Sequence, residues 1–250
     1  MMLPKAFLDR PIAHRALHDR SAERPENTRA AMQVAVDAGY GIEIDVQLSA
    51  DNHAIVFHDY VLDRLTHHIG PVRNRPLKDL QNIQLRNSDE TIPDLPEVLE
   101  IVQGKVPLLV EIKDQDGLLG DKIGPLENAV TQALDGYHGD VAVMGFNPHS
   151  ILRMSKLAPD IPRGLVTCDF KSEDWPGVST DRRTELATIG DFHRVGASFI
   201  SHAVNDLASS QVAALKTKSI PILCWTIRSP EQEAEARKIA DNITFEGYLA

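Results

Sequence analysis

The sequence predicts a single α/β domain over 1–250, a (β/α)8 TIM barrel with a small insertion after the second barrel-strand region. Three observations carry that expectation. Short apolar runs of strand type alternate with segments of helical period from end to end. The chain has 250 residues, and barrels of this kind close as one domain at about that length. No glycine-rich phosphate loop follows the first strand, where the residues read AHRALHDRSAERPENT, which disfavours a doubly wound open sheet.

The run Ile12–His14 opens the series. Asn27–Ala38 follows as a helix with Ala30, Ala31, Val34, Ala35 and Ala38 on one stripe and Gly39 as its stop. Ile42–Val46 and Ile55–Phe57 read as the next strands. Leu95–Val102 is helical and leads to the strand Pro107–Ile112; Pro125–Leu134 leads in the same way to Val141–Met144. Pro148–Leu157 precedes Gly164–Thr167, and Ser198–Ile200 is the next apolar run. Asp206–Lys216, Ile220–Trp225, Pro230–Ile239 and Ile243–Phe245 complete the alternation. Several helices open on Pro or Asp, which favour the first turn. The strands are rich in Val, Ile and Leu and not cleanly alternating, as suits parallel strands covered on their outer face. The count comes to about eight strands. Two stretches break the rhythm. Asp59–Pro93 is long and polar and reads as an insertion on one rim, about 59–93, while Phe170–Arg183 reads as a second rim loop.

Composition narrows the function classes. A hydrophobic share of 42% with 25% charged residues excludes bulk disorder. The net charge of −10 argues against a long nucleic-acid footprint, which needs clustered Lys and Arg. A small anionic substrate stays open, because a few local cations can outweigh the overall field. Cys168 and Cys224 lie in separate apolar runs; two thiols make no disulfide framework and point to a reducing compartment. No stretch approaches the roughly 18 apolar residues of a membrane span, and MMLPKAFLDRPIAHR lacks the apolar core of a signal peptide. A soluble, cytoplasmic protein without stable membrane association is expected.

The segment GIEIDVQL carries the first chemical signal. In a strand, Glu43 and Asp45 share one face and Ile42, Ile44 and Val46 the other. Barrel interiors normally hold Val, Ile or Leu, and two desolvated carboxylates there cost several kcal/mol unless a cation compensates. LLVEIKD adds Glu111 and Lys113 on one face of another strand. Pairing each acid with a basic neighbour is one solution. The other is a hard cation such as Mg²⁺ or Ca²⁺ on Glu43, Asp45 and Glu111, with Lys113 facing a bound anion. His14 with Arg15, and His58 before Asp59, end apolar runs nearby. They suit acid–base work and phosphate binding; a purely structural role is the alternative. The histidines at 53, 67, 68, 138, 149, 193 and 202 lack such support and read as surface or supporting residues.

The succession IAHR, PENTRAAMQVAVDAGYGIEIDVQLSADNHAIVFHD, LDRLT, IPDLPEVLE and LLVEIK resembles the glycerophosphodiester phosphodiesterase family in order and spacing. The likeness runs from Ile12 to Lys113, with a weaker echo through GFNPHSILRMSKLAPDIPRGLV and ILCWTIRSPEQ. It implies the barrel, the insertion, a divalent cation and hydrolysis of small glycerophosphodiesters to glycerol 3-phosphate and an alcohol. Position by position, it implies His14 and His58 as the acid–base pair and Arg15 and Lys113 as phosphate contacts. It also implies Glu43, Asp45 and Glu111 as metal ligands and Trp225 as a substrate-lining aromatic. Glu26 and Asn27 are expected to cap the first long helix and anchor the loop behind His14. Water and the glycerol's own hydroxyl are both admissible nucleophiles, and either histidine can be the base.

The chain departs from that pattern twice. Arg228 stands where the family often has a small polar residue, which bears on the pocket near Trp225. Only EGYLA follows Phe245, so Met1–Arg10 is the candidate to cover the place of a closing helix. Two rivals remain: a phospholipase-type relative acting on lipid head groups, and a barrel that binds phosphate ligands without chemistry. The first calls for exposed aromatics or a basic rim, and the insertion, HHIGPVRNRPLKDL, is mildly basic but has no aromatic after Tyr60; the second calls for a lost site residue, and all seven positions are filled.

Overall fold

A computed structural model describes residues 1–250. The strands in chain order are β1 (Ile12–Ala13), β2 (Gly41–Leu48), β3 (Ala54–Val56), β4 (Leu108–Ile112) and β5 (Val141–Gly145). They continue with β6 (Arg163–Thr167), β7 (Phe199–Ala203), β8 (Ile222–Ile227) and β9 (Asn242–Phe245). All except β3 form one parallel ring, closed where β1 pairs with both β9 and β2. This is the expected eight-stranded barrel. Ile55–Phe57 is corrected: it yields β3, antiparallel to the end of β2 with Val46 opposite Val56. The connection Ser49–His53 is far shorter than the dozen or so residues that a parallel crossover needs, so only a hairpin can form.

The helices are α1 (Ala6–Asp9), α2 (Arg29–Ala38), α3 (Leu77–Leu80), α4 (Leu95–Val102), α5 (Leu126–Leu134), α6 (Pro148–Leu157), α7 (Thr180–Ala187), α8 (Ser210–Lys216) and α9 (Pro230–Ala236). Thr28, not Glu26 or Asn27, caps α2 by accepting from the Ala31 amide, and Gly39 ends it in the left-handed conformation. The buried stripe of α2 is Ala31, Met32 and Ala35, while Ala30 and Ala38 are exposed. The rim loop expected at Phe170–Arg183 ends in α7, whose polar sequence TDRRTELA hides its period and whose start is set by the Ser179 cap. After β3, the chain through Pro93 holds a short 3₁₀ turn, α3 and a small core of its own built on Ile55, Phe57, Leu62, Val72 and Leu80.

Met1–Arg10 does not stand in for a closing helix. Leu3 and Phe7 instead join Ile12, Leu109, Met144, Val166, Phe199 and Leu223 inside the barrel, so α1 plugs its floor. Asn242 fixes that plug by donating from Nδ2 to the carbonyls of Phe7 and Arg10. Outside β9, Tyr40 stacks edge-on against Phe245 and donates to the Ala250 carbonyl, and Tyr248 packs on the same ring. The apolar floor leaves only the opposite end of the barrel, where the strands terminate, for polar side chains.

Gly164 makes room for the Phe199 ring on the neighbouring strand, since a Cβ there would overlap it. Gly164→Ala is therefore expected to cost about 1–3 kcal/mol by overpacking, with part recovered in Gly164→Ala/Phe199→Leu. The urea midpoints of both variants check this; a wild-type midpoint for Gly164→Ala would show that Phe199 packs elsewhere.

Candidate active site

Alternation along β2 turns Glu43 and Asp45 inward and Ile42, Ile44 and Val46 outward into the helix layer. Parallel pairing sets Asp45 directly beside Glu111 of β4. The carboxylate oxygens of Glu43, Asp45 and Glu111 lie within 4.8 Å of one another, all buried. Lys113, two residues beyond Glu111, reaches back to both neighbours: Nζ lies 2.7 Å from Asp45 Oδ1 and 2.6 Å from Glu111 Oε1. Glu43 has no ion pair; its carboxylate accepts a single hydrogen bond, from the Arg15 amide at 2.9 Å. Burial, then repulsion from Asp45 and Glu111, pushes the Glu43 carboxyl well above the usual range. Burial alone would raise Asp45 too, but Lys113, both histidines and Arg15 together hold it far below. The donor set fits a hard divalent cation: three clustered oxygens, with one of the acids lacking any cationic partner.

The β1–α2 connection supplies the next layer. Arg15 and Ala16 both take left-handed backbone, φ 53° and 65°, which is uncommon without glycine. That turn directs the Arg15 amide onto Glu43 and its guanidinium to Glu26 at 2.7 Å and Asp45 at 3.5 Å. Glu26 in turn accepts two bonds from Arg64, at 2.7 and 2.8 Å, and so ties the insertion to the barrel. Asn27 donates to Asp45 Oδ2 at 3.0 Å. Neither Glu26 nor Asn27 caps α2, but both anchor the loop behind His14 as expected, Glu26 through the Arg15 guanidinium and Asn27 through the Arg15 carbonyl, and Asn27 also supports Asp45 directly.

The two histidines share one arrangement. His14 Nδ1 sits 2.6 Å from Glu246 Oε2, and Arg228 holds the other Glu246 oxygen at 2.8 Å. His58 Nδ1 sits 2.7 Å from Asp59 Oδ1, and Arg64 holds Asp59 at 2.6 Å. Burial would raise both carboxyls, yet the histidine and arginine contacts keep each well below the carboxylate range. An ionised carboxylate only accepts, so Nδ1 carries the proton in each ring and Nε2 is the nitrogen left without that commitment. Burial also lowers His14, against the pull of Glu246.

Residues 14–242 match the glycerophosphoryl diester phosphodiesterase family. The chain belongs to that family. A glycerophosphodiester phosphodiesterase of Caldanaerobacter subterraneus subsp. tengcongensis is 34% identical over 174 residues, covering 66% of this chain and 69% of that one. YhdW of Bacillus subtilis is 28% identical over 233 residues, covering 90% and 88%. A phosphodiesterase from Oleispira antarctica, solved in complex with the product sn-glycerol-3-phosphate, superposes with a TM-score of 0.78 at 25% identity over 96% of this chain and 94% of that one. The chain is an enzyme of the glycerophosphodiester phosphodiesterase class.

Within this family member, His14, Arg15, Glu43, Glu111, Lys113 and His58 surround Asp45. Trp225 stands apart. It shares the inward face of β8 with Leu223 but packs edge-on against Phe146 and donates to the Ser201 carbonyl. Phe146, Phe170 and Trp175 form an aromatic group around it. Arg228 does not shape a pocket at Trp225; its guanidinium is spent on Glu246. Glu246, Arg64 and His18 escaped the sequence reading. Glu246 carried one signal, as the first residue after the last barrel strand, where side chains face the mouth.

Glu26, depressed to about 2, supplies the pH test. Burial would raise it, but Arg64 and Arg15 hold the folded value below the ordinary 4.5. A depressed carboxyl contributes stability that is complete above the unfolded value and is lost as pH falls through the folded one. Glu26→Gln should therefore cost about 3 kcal/mol near neutral pH, with the gap to wild type closing between about pH 4.5 and 2. Chemical denaturation at a series of pH values reads this directly, and a pH-independent gap would contradict it.

Proposed function

We propose that this enzyme hydrolyses glycerophosphodiesters to glycerol 3-phosphate and an alcohol at the barrel mouth. Glu43, Asp45 and Glu111 hold a divalent cation, Mg²⁺ or Ca²⁺, and His14 and His58 form the acid–base pair. The observation that carries this reading is the pair of histidines, each with Nδ1 committed to an ionised carboxylate, beside three clustered carboxylates with one lysine between them. A barrel that only bound phosphate would need neither anchored imidazole. The relative solved with sn-glycerol-3-phosphate supports the product class.

A cation held by Glu43, Asp45 and Glu111 would supply positive charge to offset the negative charge of the phosphoryl group. Lys113 and Arg15 add fixed positive charge for the same group, already oriented by Asp45, Glu111 and Glu26 and only partly exposed to water. One imidazole takes the proton of the attacking hydroxyl through Nε2, and the other gives its Nε2 proton to the departing alkoxide. Asp59 and Glu246 keep both rings in the tautomer that this exchange requires and stabilise whichever ring is protonated. The same geometry serves attack by water or by the substrate's own hydroxyl.

Two expectations test the assignment. Release of glycerol 3-phosphate, followed by a coupled assay, should stop with EDTA and return with Mg²⁺ or Ca²⁺. Metal-free Glu43→Gln should melt above metal-free wild type by roughly 2–4 °C for each kcal/mol of relieved repulsion, and should gain less from added metal. Full activity in a metal-free sample would remove the cation from the reaction. His14→Ala and His58→Ala should each lower kcat by about 10²–10⁴, and the double variant should lose much less than the product of the two. A single variant with near wild-type kcat would return that histidine to a supporting role.

A further inference from the structure

A cavity of about 680 Å³ lies on the rim between the β1–α2 connection and the ends of β8 and β9. His14 and Arg15 form its inner end, and its size is ample for a small ligand. Its charge runs against that of the whole molecule. Five arginines line it against three carboxylates, in a chain whose net charge is −10. The arginines are not equally committed. Arg15 and Arg64 are bound to Glu26, and Arg228 to Glu246. Arg24 donates from Nε to the Leu17 carbonyl but meets no carboxylate, and Arg20 makes no side-chain hydrogen bond. Asp19, next to Arg20 in the sequence, accepts from the Ser21 amide and hydroxyl instead. His18 adds an independent sign: its Nε2 is buried on this wall without a hydrogen-bond partner, 3.6 Å from Glu246.

The cavity is a poor receptor for a trimethylammonium group, which needs open aromatic faces. Its two aromatic rings, Phe245 and Tyr248, pack edge-on against each other, and the Tyr248 hydroxyl is bonded to Glu233. We infer that this cavity receives the alcohol half of the diester and selects alcohols that carry an additional anion, a phosphate or carboxylate, with Arg20 and Arg24 as the free cations that bind it. The inference rests on the phosphodiesterase reading above, which puts the scissile phosphate beside His14 and Arg15. Charge-assisted, bidentate recognition of a planar or tetrahedral anion is what arginine does best.

The test holds the scaffold constant and changes only charge. kcat/KM is measured for three diesters of glycerol 3-phosphate, bearing inositol, inositol carrying one further phosphate, and choline. The phosphorylated inositol diester should exceed the unphosphorylated one by about 10-fold at low salt, with the ratio shrinking as salt rises. In the double variant Arg20→Gln/Arg24→Gln that ratio should fall toward one, whereas Lys238→Gln, exposed and remote from the cavity, should leave it intact. Equal rates for the two inositol diesters, a ratio unmoved by the double variant, or choline as the best head group would overturn the inference and leave the phosphodiesterase reading standing. A separate arm titrates free inositol phosphate and free inositol into the protein by calorimetry. Binding of the phosphate alone, lost in the double variant, would uphold the anion site even if no diester were cleaved, an outcome that would sink the reaction proposed above instead. No binding of either alcohol, with turnover intact but unselective, would count against the site.

Discussion

Three carboxylates share the interior of a barrel that would otherwise be filled with hydrocarbon, and the rest of the mouth is arranged around that charge. Period two along β2 and β4 makes the crowding unavoidable once Glu43, Asp45 and Glu111 are in those strands, because the parallel register sets Asp45 beside Glu111. Lys113 answers two of the three. Glu43, left with a backbone amide, absorbs the imbalance as a raised pKa. Removing a charge from such a group is cheap, and leaving it unpaired is not. The floor of the barrel can host none of this. Leu3 and Phe7 seal it with apolar contacts, so polar chemistry and hydrophobic stabilisation occupy opposite ends of one cylinder.

The second layer converts that charge into orientation. Glu246 and Asp59 lie far apart in the sequence, yet each accepts from a histidine Nδ1 and is held by an arginine. Arg64 serves two anions, Glu26 and Asp59, and thereby makes the insertion part of the site rather than a decoration on it. Loss of either carboxylate would free the ring to rotate or change tautomer without touching the metal cluster. The left-handed turn at Arg15 and Ala16 belongs to the same construction, since an extended chain there could not present the Arg15 amide to Glu43 and its guanidinium to Glu26 together.

What the sequence revealed follows from how local each feature is. Glu43, Asp45, Glu111 and Lys113 were legible because alternation within a strand is a two-residue rule, and carboxylates on an inward face violate it visibly. His14 and His58 were legible as strand-end polar residues. Glu246 is not legible, because it meets His14 across 232 residues, and Arg64 is not, because its bond to Glu26 spans 38 residues even though Asp59 lies only five away. α7 was missed because its helical period is carried by polar residues, and β3 was read as a barrel strand because its apolar run is indistinguishable from one until the connection length is weighed. Arg228 shows the opposite failure: its residue type stood out, but its direction depended on Glu246, a partner on another strand end.

An acidic protein that binds a diester anion must overcome its own repulsion, and the geometry indicates where that happens. At physiological ionic strength charges on the far side of the barrel are screened over about 8 Å, so the net charge of −10 mainly reduces the rate of encounter. Inside the mouth the fixed cations lie within hydrogen-bond distance of their anions, and water is largely excluded. There, low dielectric amplifies each uncompensated charge. Lys113 and Arg15 are both pinned by carboxylates, so neither can swing out to meet a ligand. On the reading proposed above, a substrate phosphate comes to them, and it would gain most if a cation among the three acids left their positive charge unspent. The same logic separates the rim: Arg20 and Arg24, without carboxylate partners, are the cations with charge to offer before anything has bound.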